Sequence, residues 1–225
     1  QETLDQIKQY LVNEDWRLAN ELANEAHGWK DGGEGNKHPG YKMVLNVLGE
    51  SGEVENYSRV ADYSTGEISV NWTDDRGTWK RTAFVSRKDN VAVEYMTNPT
   101  QADTFDCSVQ LTTDPGMNFP SGMKFEDAST EEFLNIRATY VNAGGAGYEG
   151  VTRVITDGTK TLQADGRMQI EGASYVLLLT KNEKYYTDCV EGWNKKELQT
   201  ALEKLPESYD SLMEGQLKTH KEIYD

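Results

Sequence analysis

The chain changes its hydrophobic period twice, and this order limits the folds open to it more than any single motif does. Apolar residues recur at helical spacing at both ends, whereas from Tyr41 to about Thr187 they alternate every second residue. A period near 3.6 is typical of amphipathic helices, and a period of two is typical of strands with one buried face. The order predicts a mainly β domain with short helices at both ends.

Two short helices are predicted before the β region. Thr3 and Gln6 fit a capping box at the start of the first helix, and Asn13 is predicted to cap the second. Gly28 stands where the second helix is expected to stop. The apolar stripes of the two helices are Leu4, Ile7 and Leu11, followed by Trp16, Ala19, Leu22 and Ala26.

Alternating apolar residues mark the strands of the β region. A turn at Asp74–Gly77 joins two of them into a hairpin, in which Trp72 and Trp79 are expected to form a cross-strand pair or to fill the core. Because strands supply both faces of the core, the pattern predicts a two-sheet antiparallel β-supersandwich. Further strands are expected around residues 43–47, 91–95, 105–111, 134–140, 161–164, 167–171 and 174–180.

Helical spacing returns at the C-terminal end. Asn194 and Glu197 form a second capping-box pattern, and Pro206 starts a new segment. The segment 194–225 is therefore predicted to hold linker helices that follow a sandwich domain at 1–193. Its apolar stripe needs a packing partner, which either the sandwich or a neighbouring domain would provide. The stripe consists of Leu198, Ala201, Leu202, Leu205, Tyr209, Leu212, Met213, Leu217 and Tyr224.

Charge and hydropathy exclude two classes of partner. The chain has 38 acidic and 23 basic residues and a formal net charge of −15, which disfavours binding to a phosphate backbone. The longest apolar run, Tyr175–Leu179, is far shorter than the roughly 20 residues of a membrane span. We therefore expect neither a nucleic-acid partner nor a membrane span.

The reactive side chains follow no catalytic or metal-binding spacing. Buried thiols are the favoured interpretation of Cys107 and Cys189, and a single disulfide between them is the alternative. His27, His38 and His220 lie far apart in sequence. The acid pairs Asp74/Asp75, Glu126/Asp127 and Glu131/Glu132 are adjacent in sequence, so on a strand they point to opposite faces. We predict no catalytic residue, metal site or cofactor.

Three residues near one loop are the candidates for a binding site. Trp29 and His38 belong to the predicted irregular loop 29–40, and Tyr41 follows it directly. Flat aromatic rings suit the apolar faces of pyranosides. They are sugar-contact candidates, although packing at a domain interface is the favoured interpretation.

Four stretches together resemble the N-terminal domain of glycoside hydrolase family 95, which holds bacterial α-L-fucosidases and related α-L-galactosidases. The helix pair at 4–23, leading through His38-Pro39 to the strand 41–47, is the first. The second is the strand set 57–62, 66–70 and 79–86. The third is the strand 169–179, and the fourth is the helix end 220–224.

The resemblance implies that a catalytic (α/α)₆ barrel follows this domain in the parent protein. Such a barrel inverts the anomeric centre with an acid and a base of its own, which are set apart by the width of a water molecule. It also implies that the family's opening strands lie before Gln1 and that the enzyme is periplasmic or extracellular. Pro39–Met43 departs from the family's usual turn, and Ala61 and Thr82 depart from its usual leucine and glutamate. These departures concern subfamily and sugar specificity.

Three functional hypotheses follow. The first is a non-catalytic domain that supports the barrel of a family 95-like exo-glycosidase and borders its pocket. The second is a self-contained carbohydrate-binding or lectin-like module. The third, a small hydrolase acting alone, needs an acid and a base that converge in one cleft.

Overall fold

The computed structural model describes residues 2–27, 40–98, 104–113, 119, 122–141, 146–185 and 195–224. The chain separates into two compact units, Gln1–Pro39 and Gly40–Asp225. Trp29, His38, Cys189 and Asn194 lie outside the described residues.

The first unit contains the predicted helix pair, α1 (Glu2–Val12) and α2 (Trp16–His27). The prediction that Asn13 caps α2 is wrong, since α2 begins only at Trp16. Glu14 adopts a left-handed φ of 62°, and the N–H of Asp15 donates to the carbonyl of Tyr10 at 2.8 Å. Asn13 and Glu14 therefore belong to the turn that ends α1, and Asp15 is the residue that precedes α2.

The described residues of the second unit form twelve strands and two helices. Its four-stranded sheet has the order β1-β6-β11-β10, and its eight-stranded sheet has the order β2-β3-β4-β5-β12-β9-β8-β7. All the neighbouring strands that the structure describes pair antiparallel. The elements are β1 (Lys42–Val47), β2 (Glu55–Asp62), β3 (Glu67–Asp74), β4 (Gly77–Ser86), β5 (Val91–Thr97), β6 (Phe105–Thr112), β7 (Met123–Asp127), β8 (Phe133–Tyr140), β9 (Gly147–Thr156), β10 (Thr159–Leu162), β11 (Met168–Ala173), β12 (Tyr175–Tyr185), α3 (Lys195–Glu203) and α4 (Tyr209–Tyr224).

The main core lies between the two sheets. Val176 and Leu178 of β12 point into it, as do Met168 and Ile170 of β11, and all four are fully buried. Trp72 and Trp79 pair directly across β3 and β4, with stacked rings whose centroids lie 6.0 Å apart. Trp79 is 1% exposed, so the predicted pair also fills the core.

Helices α3 and α4 cover the other face of the eight-stranded sheet. Leu198, Leu202 and Leu212 pack there against Leu177 and Leu179, which alternate with the two β12 residues of the main core. β12 is thus buried on both faces, which explains its continuous apolar run. The sandwich itself buries this part of the predicted helical stripe, whereas Leu217 is half-buried.

The predicted fold class is confirmed: the chain is mainly β, with two antiparallel sheets and short helices that precede and follow the strands in sequence. Strands β7 and β9 were not among the predicted strands, although β9 lies in the middle of the larger sheet.

Candidate functional site

Tyr41 is the one member of the predicted aromatic group that lies among the described residues. It precedes β1, and burial raises its pKa to about 12. Its hydroxyl donates to Oδ1 of Asn182 on β12. Tyr41 is therefore a neutral donor, and the four-stranded sheet is tied at this point to the eight-stranded sheet.

The position of the Tyr41 ring depends on a glycine. A Cβ at Gly150 on β9 would overlap the Tyr41 ring, so only glycine leaves room for it. Tyr148, two residues earlier on the same strand, stacks against Tyr41 with ring centroids 6.5 Å apart. The hydroxyl of Tyr148 donates to the carbonyl of Gly40 at 2.5 Å. Strands β9 and β12 and the segment that leads into β1 therefore hold the two rings in place.

These rings border a cleft of about 520 Å³, which we call the tyrosine cleft. Aromatic rings beside amide, carboxylate and ammonium groups suit a polar ligand with apolar faces, such as a saccharide. The residues that line it are Gly40, Tyr41, Tyr148, Glu149, Asn182, Glu183 and Lys184.

Two carboxylates border the tyrosine cleft, but they differ in access to solvent. Glu149 and Glu183 lie directly opposite each other on β9 and β12. Glu149 is fully buried and accepts a hydrogen bond of 2.6 Å from the Tyr185 hydroxyl, whereas Glu183 is exposed. A general acid or base must reach its substrate. Because Glu149 is closed to solvent here, this pair does not form the open acid and base that a hydrolase acting alone needs.

The side chain of Asp74 is bound by three other side chains, and these partners give it a structural role. Its side chain accepts hydrogen bonds from the indoles of Trp72 at 3.2 Å and Trp79 at 3.1 Å and forms an ion pair of 2.6 Å with Arg76. Arg76 hydrogen-bonding holds the pKa of Asp74 well below its usual range. Arg76 also donates to the carbonyl of Val47 at 2.8 Å, which fixes the end of β1 to the hairpin.

Cys107 is a free, fully buried thiol in the main core. Burial raises its pKa to about 12, so it stays protonated and unreactive at neutral pH. Its interpretation as a buried thiol is confirmed, while Cys189 lies outside the described residues. Among the residues that the structure describes, no group of three or more His, Cys, Asp or Glu side chains could hold a metal ion.

None of the helices in the described part of the chain combines the length and the apolar character that crossing a membrane requires.

Sequence reasoning singled out Tyr41 but missed Tyr148 and Asn182, which share its cleft. Tyr148 follows the glycine-rich stretch 144–147, a composition that is typical of loops and gives no strand signal. Asn182 stands near the end of β12, past the apolar run that marked that strand. The pairing of β9 with β12 brings both residues to Tyr41, and this pairing has no local sequence signal.

Comparison with known proteins gives a family and a fold. The model of the family described as "Glycosyl hydrolase family 65, N-terminal domain" matches residues 1–188. A solved structure from human microbiome, described as a kojibiose phosphorylase, superposes with a TM-score of 0.55 at 12% sequence identity. The match covers 80% of this chain and 27% of that one, so the chain spans about a quarter of that protein's length. None of the curated proteins matches.

Proposed function

The chain belongs to the glycosyl hydrolase family 65 N-terminal domain family, and we propose that it is a non-catalytic domain that supports the catalytic domain of a larger glycoside hydrolase. The observation that carries this proposal is the family match over residues 1–188, on a two-sheet sandwich. The exclusion of Glu149 from solvent agrees with it.

The geometry suits a supporting role. The four-stranded sheet, the eight-stranded sheet and the helices form three packed layers in the second unit, with one core on each face of β12. Such a scaffold holds neighbouring groups in fixed positions. In the proposed parent protein a C-terminal (α/α)₆ barrel supplies the acid and the base, and the sandwich supplies a rigid wall.

For the sugar, we propose terminal α-L-fucose or a related sugar, on the basis of the four stretches that resemble family 95. The similarity to the kojibiose phosphorylase concerns the fold, and it makes phosphorolysis of a disaccharide the alternative to test. The periplasmic or extracellular location is proposed on the same resemblance.

Activity of the full-length gene product tests this proposal. We expect that product, and not the 225-residue chain, to hydrolyse an aryl α-L-fucopyranoside. Phosphate-dependent cleavage of kojibiose instead would overturn the fucose assignment but keep the supporting role. Turnover by the 225-residue chain alone would overturn the supporting role itself, as would a native gene product of about the chain's own mass, 25.3 kDa.

The tyrosine cleft favours a second candidate function, a self-contained carbohydrate-binding module. In that case the 225-residue chain binds free L-fucose or a glycan, and the amide signals of Gly40 and Asn182 shift in NMR titrations. Tyr148→Ala is expected to abolish these shifts, because it removes one of the two rings. Tyr57→Ala is the matched control, since Tyr57 is a tyrosine on β2 that is 58% exposed and does not line the cleft.

A further inference from the structure

Four strands of the eight-stranded sheet carry an apolar face that the four-stranded sheet covers only in part. Trp72 and Trp79 lie on this face and are in the main core. Further along the same two strands, at the same period of two, are Ile68 and Val85, which are 53% and 64% exposed. Arg81 interrupts the apolar pattern of β4 after Trp79, and the pattern resumes at Ala83 and Val85, beyond the part of the strand that the main core uses.

The register shows that these exposed residues form one surface. Ala61 of β2, Ile68 of β3 and Ala83 of β4 face one another directly across the sheet. Val85 of β4 faces Ala92 of β5 in the same way. Side chains that are direct cross-strand partners lie on the same face. The result is a mainly apolar floor across four strands. It also holds Glu94 of β5, which faces Ala83 and forms an ion pair of 2.9 Å with Arg81.

This floor lies in a groove of about 540 Å³, which we call the open groove. Met43 of β1 borders it on one side, and Gln216 and His220 of α4 border it on another. Burial of an apolar floor of this kind is favourable by about 25 cal/mol per Å² of apolar surface removed from water.

Hydrogen bonds fix α4 as a wall of the open groove. Gln216 accepts the N–H of Arg87 at 2.9 Å through Oε1 and donates to the carbonyl of Thr65 at 3.4 Å through Nε2. Nε2 of His220 donates to the carbonyl of Tyr63 at 2.8 Å. The turn after β2 and the turn after β4 are thereby both attached to the second half of α4.

Exposed apolar side chains continue from the floor to the end of α4. Tyr63, whose carbonyl accepts the bond from His220, is 76% exposed, and Ile223, one helical turn after His220, is 65% exposed. Contiguous apolar surface beside a groove is typical of interaction sites. Exposed apolar side chains therefore lie on the floor of the groove and also near the last turn of α4.

We infer that the open groove is the docking surface for the catalytic domain that follows α4 in the parent protein. This inference rests on the proposed function, and it adds the surface through which the sandwich supports its partner. The last turns of α4 form a wall of the groove, so the polypeptide that continues from α4 starts beside it. A tethered partner that starts there binds at a high effective concentration, so a modest apolar contact is enough. The matching surface on the partner is apolar where it meets Ile68, Ala83 and Val85, and polar where it meets the ion pair of Glu94 with Arg81.

Thiol labelling of Val85→Cys tests the inference in the full-length gene product and in the 225-residue chain. Val85 is exposed in the chain, so a maleimide should modify the cysteine quickly there. In the full-length protein we expect the rate to fall at least tenfold, because the docked domain covers the groove. The unsubstituted proteins give the background from the native cysteines.

Val60→Cys is the matched control. Val60 is a valine on β2 that is 53% exposed, and it precedes Ala61, so it points to the opposite face of the sheet. Its labelling rate should be the same in both proteins.

Equal rates for Val85→Cys in the two proteins would overturn the docking inference and leave the proposed function intact, provided the full-length product is several times heavier than 25.3 kDa and active. A product of about that mass would overturn both. Labelling of the 225-residue chain that slows as its own concentration rises would show a second copy in the groove, which also contradicts the inference.

Discussion

The centre and one edge of the eight-stranded sheet differ in how their strands are covered. In β12, five consecutive residues from Val176 to Thr180 are buried, because the four-stranded sheet lies on one side and the helices on the other. In the edge strand β2, all eight residues are exposed. Both strands belong to one hydrogen-bonded sheet, so backbone pairing does not explain the difference. The difference shows that stability is concentrated around β12, while the β2 side is available for contacts.

The largest effect should come from a cavity in the covered region. Leu178→Ala removes a fully buried side chain from the main core, and we expect the free energy of unfolding to fall by about 3 to 4 kcal/mol. Urea denaturation of the 225-residue chain measures this loss.

Ile68→Ala is the comparison in the open region. Ile68 is 53% exposed on β3, so the same type of truncation should cost less than about 1 kcal/mol. Similar losses for the two variants would show that the open groove is already filled in the isolated chain, and the contrast between the two regions would then be wrong.

Asp74 should give the next largest effect, because it anchors the covered end of the β3–β4 hairpin. Asp74→Asn removes the charge that pairs with Arg76 at 2.6 Å, and we expect a loss of about 2 to 3 kcal/mol at pH 7. The measurement is urea denaturation at a series of pH values.

The pH dependence identifies the cause of this loss. The pKa of Asp74 is lowered in the folded chain, so its contribution is complete above the unfolded pKa of about 3.9 and is lost as the pH falls towards the folded pKa. The difference between wild type and Asp74→Asn should therefore shrink below about pH 4. A difference that stays constant down to pH 2 would point to altered packing instead.

The architecture was predictable because its signals are local. The change of period at Tyr41 predicted the sandwich, and the turn Asp74–Gly77 predicted the hairpin with its paired tryptophans. The family resemblance predicted an N-terminal domain of a glycoside hydrolase, and the match to family 65 confirms that coarser statement. Specificity for fucose stays a prediction.

The candidate site was predictable only in part, because long-range pairing assembles it. Tyr41 was identified from its loop, but its partners Tyr148 and Asn182 depend on the pairing of β9 with β12. The strand β9 itself was missed, since Gly147 and Gly150 weaken its sequence signal. Gly150 is where the Tyr41 ring approaches, so the residue that hid the strand is part of the site.

That glycine gives the third prediction, which concerns the covered region. Gly150→Ala places a Cβ where the Tyr41 ring lies, so the ring must shift and we expect a loss of about 1 to 2 kcal/mol. The NMR signals of Tyr41 and Asn182 should move as their hydrogen bond is displaced. Gly40→Ala is the control, because a Cβ there meets Tyr148 only at 3.9 Å and should be nearly neutral. A neutral Gly150→Ala would mean that Tyr41 is not held against β9.

The smallest effect is expected in the open groove, and it separates the two regions most directly. Val85→Thr keeps a β-branched side chain on β4, and because Val85 is 64% exposed we expect a change below about 0.5 kcal/mol. Val93→Thr makes the same chemical change on the neighbouring strand β5, where the side chain is 1% exposed beneath the helices. Burying the added hydroxyl there should cost about 1 to 3 kcal/mol.

In the full-length protein, docking over the open groove should raise the cost of Val85→Thr towards that of Val93→Thr. If the cost of Val85→Thr stays near zero in the full-length protein, Val85 has no partner in the parent protein. The exposed side of the sheet is then open to solvent and is not a domain interface.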